Sequence, residues 1–243
     1  MRRTPLAVAL ATGTLAIAGC APLPTAPQEL PATFIPEVEA PSPWPEMPVG
    51  EDGFTVVERV AVRVSAVTCD SYQTGSAWVL DENTVVTNRH VVEDAVEIEL
   101  TSYDGRHYTG TSSVLDATAD LALVTIDGTF PEAATIAQDP AEQGEQLYVV
   151  GYPEGDILTT TPATFQGQAP ETLGEGQDDI DVLWAEIKQG NSGSPLADVN
   201  GEVVGVIYAG NDGGGASSVT HESLMDFLTD ESTHEPNEAA CSW

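Results

Sequence analysis

The sequence predicts an all-β fold of two packed antiparallel barrels, with one short helix near the C-terminus. Three observations lead there. From Phe54 onward, short runs rich in β-branched residues recur with turn-forming residues between them: VVERVAVRVSAV, SAWVL, TVVTN, VEIEL, LALVTI, QLYVVGY, DVLWAEI and EVVGVIYA. Helical periodicity is convincing only in SVTHESLMDFLTD, residues 218–230, where Val219, Leu224, Phe227 and Leu228 share one face. A strand-poor stretch, TFPEAATIAQDPAEQGE at 129–145, divides the folded part into two β subdomains, about 53–135 and 136–243.

Each element has a local reason. The runs alternate or cluster apolar residues as half-buried or buried strands do, and DEN at 81–83, YDG at 103–105 and DVNG at 198–201 supply hairpin turns. No repeat of 20–50 residues is recognisable, which disfavours solenoids and propellers. The strand count suits a pair of barrels. With 243 residues and 41% hydrophobic content, the chain can bury one substantial core or two small ones.

The N-terminal part reads differently. MRRTPLAVALATGTLAIAGC carries Arg2 and Arg3 before an apolar run too short to span a bilayer, the pattern of an export signal. Its end, Ile17-Ala18-Gly19-Cys20, resembles the bacterial lipoprotein box. That resemblance implies a signal over 1–19 and a mature chain beginning at a lipidated Cys20, held outside the cytoplasm on a bacterial membrane. An ordinary secretory signal with an incidental cysteine is the alternative. Residues 20–52 follow as a stalk, with nine prolines between 20 and 50 favouring extended, solvated chain; Phe34, Ile35 and Trp44 are its candidates for docking on the domain. With Cys20 lipidated, Cys69 and Cys241 remain, and an oxidising exterior favours their pairing as a disulfide.

Charge excludes several partners. The formal net charge is −32, and loss of Arg2 and Arg3 with the signal leaves 5 basic against 39 acidic residues, about −34. Nucleic acid is not expected to bind, and anionic lipid would repel the domain, so membrane attachment falls to the acyl groups. The acidity suits solubility through self-repulsion in a salty exterior. No D-x-[DN]-x-[DN]-G calcium loop and no C-x-x-C spacing occurs, so neither a metal nor a cofactor is expected.

Three short stretches carry chemistry. TNRHVVEDA, residues 87–95, sets His90 at a strand-to-helix junction; TADLALVTI, 118–126, sets Asp120 at the mouth of an apolar strand; QGNSGSPL, 189–196, sets Ser192 in a bare turn. Singly, each has a plain structural reading: a surface histidine, a strand-start aspartate bonding backbone amides as Asp116 can, and a glycine-rich hairpin. Jointly, in the order His, Asp, Ser, they resemble the chymotrypsin-fold serine proteases, with bacterial trypsin-like, HtrA and glutamyl endopeptidase forms the nearest match. The resemblance runs from about Val60 to Ala209. A G-x-S-x-G hydrolase elbow would need a helix after the serine, whereas Ser194-Pro195-Leu196 leads into a strand.

The resemblance implies a double barrel of six strands each and a serine endopeptidase acting on protein or peptide substrate through an acyl-enzyme. Ser192 is then the nucleophile, His90 the general base and Asp120 its orienting carboxylate, with the Gly190 and Ser192 N–H groups as the oxyanion hole. Specificity candidates are Glu186, Ile187 and Lys188 before the nucleophile, Ile207, Tyr208, Ala209 and Gly210 on the following strand, and His221. Glu186 favours a basic P1 side chain and Lys188 an acidic one. Asn191 stands where the digestive branch has an aspartate that receives a freed N-terminus, so the oxyanion turn is expected to form without that step. About 30 residues follow Gly210, too few for a PDZ domain, and a monomer is expected. The competing reading is a non-catalytic protease-fold surface lipoprotein acting as a binding module.

Overall fold

The run VVERV, strand-like in composition, opens the fold as a helix. In the computed structural model, which describes residues 44–170, 179–210, 213–239 and Cys241, α1 spans Val56–Val60. Thr55 Oγ1 accepts from Glu58 N at 3.2 Å and Glu58 Oε2 accepts from Thr55 N at 2.8 Å, a reciprocal cap that outweighs the β preference of the valines over one turn. The export signal at 1–19, Cys20, Phe34 and Ile35 lie outside the described residues.

The first barrel follows: β1 (Ala61–Val67), β2 (Tyr72–Val79) and β3 (Thr84–Thr87), a single helical turn α2 (Arg89–Val92), then β4 (Glu97–Ser102), β5 (His107–Asp116) and β6 (Ala122–Asp127). The sheet runs β5-β4-β1-β2-β3-β6 and closes by pairing of β5 with β6. The second barrel comprises β7 (Gln146–Gly151), β8 (Thr159–Pro170), β9 (Asp179–Ala185), β10 (Pro195–Ala197), β11 (Val203–Gly210) and β12 (Gly215–Val219), closed in the order β10-β11-β12-β9-β8-β7. Helix α3 (His221–Thr229) and a short strand β13 (His234–Pro236), which adds to β5, complete the chain. The expected all-β double barrel with six antiparallel strands each is therefore the fold.

Closure removes the sheet edges, and each barrel fills its own interior. Val62, Val64, Leu100 and Val124 pack inside the first; Leu147, Leu183, Leu196 and Ile207 pack inside the second. A third cluster joins them: Trp78, Val86 and Leu121 meet Val206, Val219 and the α3 residues Leu224 and Phe227. Each such fully buried apolar side chain contributes about 1.5–3 kcal/mol. Leu224 and Phe227 are the buried members of the apolar face expected on this helix, with Val219 placed at the end of β12 instead.

Packing also reaches upstream of residue 53. Met47 is buried with the first barrel's core, Val49 bridges to Thr55, the Trp44 ring meets Tyr148 edge-on at 6.2 Å, and Tyr148 Oη donates to the Pro45 carbonyl. At the other end a disulfide joins Cys69 to Cys241 across 172 residues. A disulfide is typically worth about 2–4 kcal/mol.

Candidate active site

Asp120 lies between β5 and β6 with 1% of its surface exposed, and both of its carboxylate oxygens face His90. Oδ1 accepts from the His90 main-chain N–H at 2.9 Å, and Oδ2 meets Nδ1 of the ring at 2.6 Å. A carboxylate only accepts, so Nδ1 carries the proton and the neutral ring keeps its lone pair on Nε2. Asn88, extended at the N-cap of α2, donates from Nδ2 to Asp120 O at 2.7 Å and ties the two stretches again. The His90 side chain is 41% exposed, so the ring borders solvent while its partner does not. Asp116 behaves as the plainer reading has it, capping the amides of Thr118 and Ala119.

The stretch around Ser192 is ordered by main-chain bonds. Four successive peptide units from Gln189 to Gly193 are each held. Gln189 O accepts from Glu154 N at 2.5 Å; Asn191 N donates to Lys188 O at 3.1 Å; Asn191 O accepts from Ser194 N at 2.9 Å; Gly193 N donates to Ile207 O at 2.7 Å. Two N–H groups in this set, those of Gly190 and Ser192, have no backbone acceptor among the described residues. Because a trans peptide sets N–H opposite C=O, fixing Gln189 O on Glu154 turns the Gly190 N–H to the other side.

Glycine is required here. Gly190 has φ +94°, and a Cβ would stand 2.5 Å from Tyr152 O; Gly193 has φ +86°, and its Cβ would collide with Ser76 O. The Ser192 hydroxyl donates to Tyr208 O at 3.4 Å, a long bond.

Strand β2 brings the first-barrel and second-barrel stretches to one place. A Cβ on Gly75 would lie 2.7 Å from the Val91 side chain, next to His90, and 3.1 Å from Ser192 O. Sequence reasoning passed over Gly75 and Ser76, although a glycine inside a strand signals close backbone approach.

Beside Ser192 opens a cleft of about 530 Å³, with Ile187, Lys188 and Gln189 on one side and Tyr208, Ala209 and Gly210 on the other. Of the specificity candidates, Lys188, Tyr208 and Gly210 line it; Glu186 is exposed and lies outside the lining. Ile187 takes the inner position, so close to Gly210 that a Cβ there would meet it at 2.7 Å. The Lys188 ammonium stands 3.5 Å from the Glu154 carboxylate, both largely exposed, so each offsets the other's pull on a charged substrate. His221 lies apart from this cleft and bonds Ala137 O through Nε2–H at 2.8 Å.

A larger recess of about 680 Å³, between residues 137–145 and Asp198–Val204, holds none of His90, Asp120 and Ser192. Asp181 is a further buried carboxylate. Burial pushes its pKa up to about 6, with the bond from Gln168 Nε2 at 3.1 Å and nearby His221 opposing. Among the described residues no set of three or more His, Cys, Asp or Glu is placed to hold a metal ion.

Comparison with known proteins gives the family and the fold. Residues 75–206 match the family model described as trypsin-like peptidase domain. The serine protease Rv3671c of Mycobacterium tuberculosis is 30% identical over 156 residues, 61% of this chain and 39% of that protein. A probable periplasmic serine endoprotease, DegP-like, of Chlamydia trachomatis is 35% identical over 135 residues, 54% of this chain and 27% of its own length. The chain thus spans well under half the length of these relatives. The crystal structure of the Rv3671c protease in its inactive form covers 71% of this chain and 88% of its own, with TM-score 0.63 and 26% identity. The HtrA-type protease AlgW with tripeptide, at TM-score 0.66 and 24% identity over 72% of this chain and 61% of its own, is a likeness of fold.

Proposed function

Since the chain belongs to the trypsin-like peptidase domain family, we propose that it is a serine endopeptidase hydrolysing peptide bonds through a Ser192, His90 and Asp120 triad. The observation that carries this is a His90 ring held through Nδ1 by Asp120, together with a serine turn whose Gly190 and Ser192 N–H groups have no backbone acceptor among the described residues. Ser192 Oγ leaves its long bond to Tyr208 O, attacks the substrate carbonyl carbon, and passes its proton to His90 Nε2. Asp120 stabilises the imidazolium without taking the proton. The carbonyl π pair moves to oxygen, where the Gly190 and Ser192 N–H groups donate hydrogen bonds to the negative charge; each such donor is worth about 10²–10³ in rate. Collapse breaks the C–N bond, the amine leaves with the proton from Nε2, and water repeats the sequence on the acyl-enzyme.

The proposed setting is extracytoplasmic, with a monomeric domain tethered through lipid on Cys20 and a stalk upstream of the docked residue Trp44. The experiment is labelling with a fluorophosphonate probe. Wild-type protein is expected to label and Ser192→Ala to lose all labelling; a folded wild type that never labels, at any salt concentration, removes the proposal. The binding-module reading draws on one observation, the Ser192 hydroxyl directed at Tyr208 O, and expects that unlabelled result.

A further inference from the structure

We infer that Ser76 is the positioning residue of the oxyanion turn, acting through its buried hydroxyl on the Gly190 peptide; the inference rests on the endopeptidase reading above. Ser76 lies in β2 of the first barrel with no exposed surface, and all of its polar groups are used. Its N–H donates to Ser192 O at 2.7 Å, and its carbonyl accepts from Thr87 Oγ1 at 2.7 Å. Its hydroxyl donates to Gly190 O at 2.8 Å and accepts from Tyr152 N at 2.9 Å.

These four bonds reach the turn itself, the segment after β7 and the end of β3. Ser192 O and Gly190 O belong to the two peptide units that alternate with those bearing the proposed oxyanion donors. Tyr152 follows β7 and leads into Glu154, whose N–H holds Gln189 O. Thr87 stands just before Asn88, which bonds Asp120 O. One serine on the first barrel therefore ties the second barrel's turn and the loop behind it to the strand that delivers His90.

The need for such a tether follows from Gly190. A residue without Cβ has wide conformational freedom, and Gly190 has to be one because a Cβ would strike Tyr152 O. The restraint that a side chain would supply must come from outside. Each of the four peptides has a main-chain partner, and the Gly190 carbonyl, on the side that Asn191 N–H leaves open, is held by the Ser76 side chain. A buried hydroxyl is costly unless satisfied, so a serine here is suited to its two partners and not to filling space.

The test compares Ser76→Ala with wild type against two ligands built on the best-cleaved sequence from a peptide library. One is a peptide aldehyde, whose Ser192 adduct places an oxyanion in the turn; the other is the matching peptide acid, a ground-state ligand. The inference expects aldehyde affinity and kcat both to fall by about tenfold to a hundredfold, the cost of a misplaced catalytic group. KM and peptide-acid affinity are expected to stay within about twofold on that same reasoning, because the cleft itself is untouched. Equal weakening of both ligands, or no change in either, overturns it. If Ser76→Ala does not fold, Ser76→Cys, which keeps a buried group of similar shape but donates only weakly, carries the same comparison: selective loss of aldehyde affinity supports the inference, and unchanged or parallel affinities overturn it. A wild-type protein that cleaves no library peptide sinks the endopeptidase reading itself, whereas an active wild type with an indifferent Ser76→Ala sinks this inference alone.

Discussion

On the first barrel, His90 is oriented by two bonds from a single side-chain carboxylate, whereas on the second the Ser192 turn is held almost wholly through main-chain groups and two glycines. The difference follows from what the proposed mechanism asks of each half. A general base must keep one tautomer while its ring stays at the solvent boundary, so a buried partner supplies the orientation. An anion acceptor must present bare N–H groups, so its orientation has to come from neighbouring peptides. The acid–base half is then sensitive to the chemistry of one atom, and the turn is sensitive to added volume.

The largest expected effect probes the carboxylate side. Asp120→Asn keeps shape but can donate toward Nδ1, which favours the wrong tautomer, and kcat is expected to fall by about 10⁴ with KM little changed. Steady-state kinetics on a cleaved peptide measure it, and a loss under tenfold would mean the two halves do not differ as argued. Next, Gly190→Ala places a Cβ against Tyr152 O at a left-handed φ, and a loss of about 10²–10³ in kcat/KM is expected, read with the same peptide. If Gly190→Ala is active, the turn is looser than its bonds indicate.

The third effect tests stability away from the chemistry. Replacing Cys69 and Cys241 by serine together releases a loop of 172 residues, and a loss of about 2–4 kcal/mol is expected in urea unfolding, with fluorophosphonate labelling of the folded fraction retained. The smallest concerns Asp181. Its folded pKa is raised to about 6, so between about pH 4 and pH 6 the folded chain keeps a proton that the unfolded chain has lost. Stability therefore falls as pH rises through that window, and the loss is complete above it. Asp181→Asn removes the slope and is expected to stabilise the protein above pH 6 by on the order of 2 kcal/mol relative to wild type, with no difference near pH 3. Unfolding midpoints at both pH values decide it.

Strands with strong local signals were legible: TVVT, LALVTI and QLYVVG all lie in or along β3, β6 and β7. HYTGTSSVLD, TTTPATFQGQAP and GASSV escaped, although they form β5, β8 and β12. Their Thr, Ser, Gly and Pro content gives little hydrophobic pattern, and pairing with a strand on each side stabilises them instead. The helix at Val56–Val60 had a readable sign in Thr55 and Glu58, which the valines masked. At the site, motif order marked the stretches around His90 and Ser192 that meet at Gly75 of β2, and the segments flanking Ser192 held Lys188, Tyr208 and Gly210, which line the cleft beside it. Glu186 and Lys188 were indistinguishable in sequence because neighbours on an irregular segment point by loop geometry, which leaves Glu186 outside the cleft and pairs Lys188 with Glu154.

What the sequence determined by itself was a chain of short β-branched strands, a bare serine turn, and the chain order of an imidazole, a carboxylate and a hydroxyl, because strand period and residue chemistry are local properties. The tertiary structure alone decided that Asp120 faces His90 while Asp116 does not, that Gly75 lets two stretches meet, and that Ser76 bonds a turn more than a hundred residues away. Those outcomes depend on barrel closure and strand register, which set distances between residues that no local pattern connects.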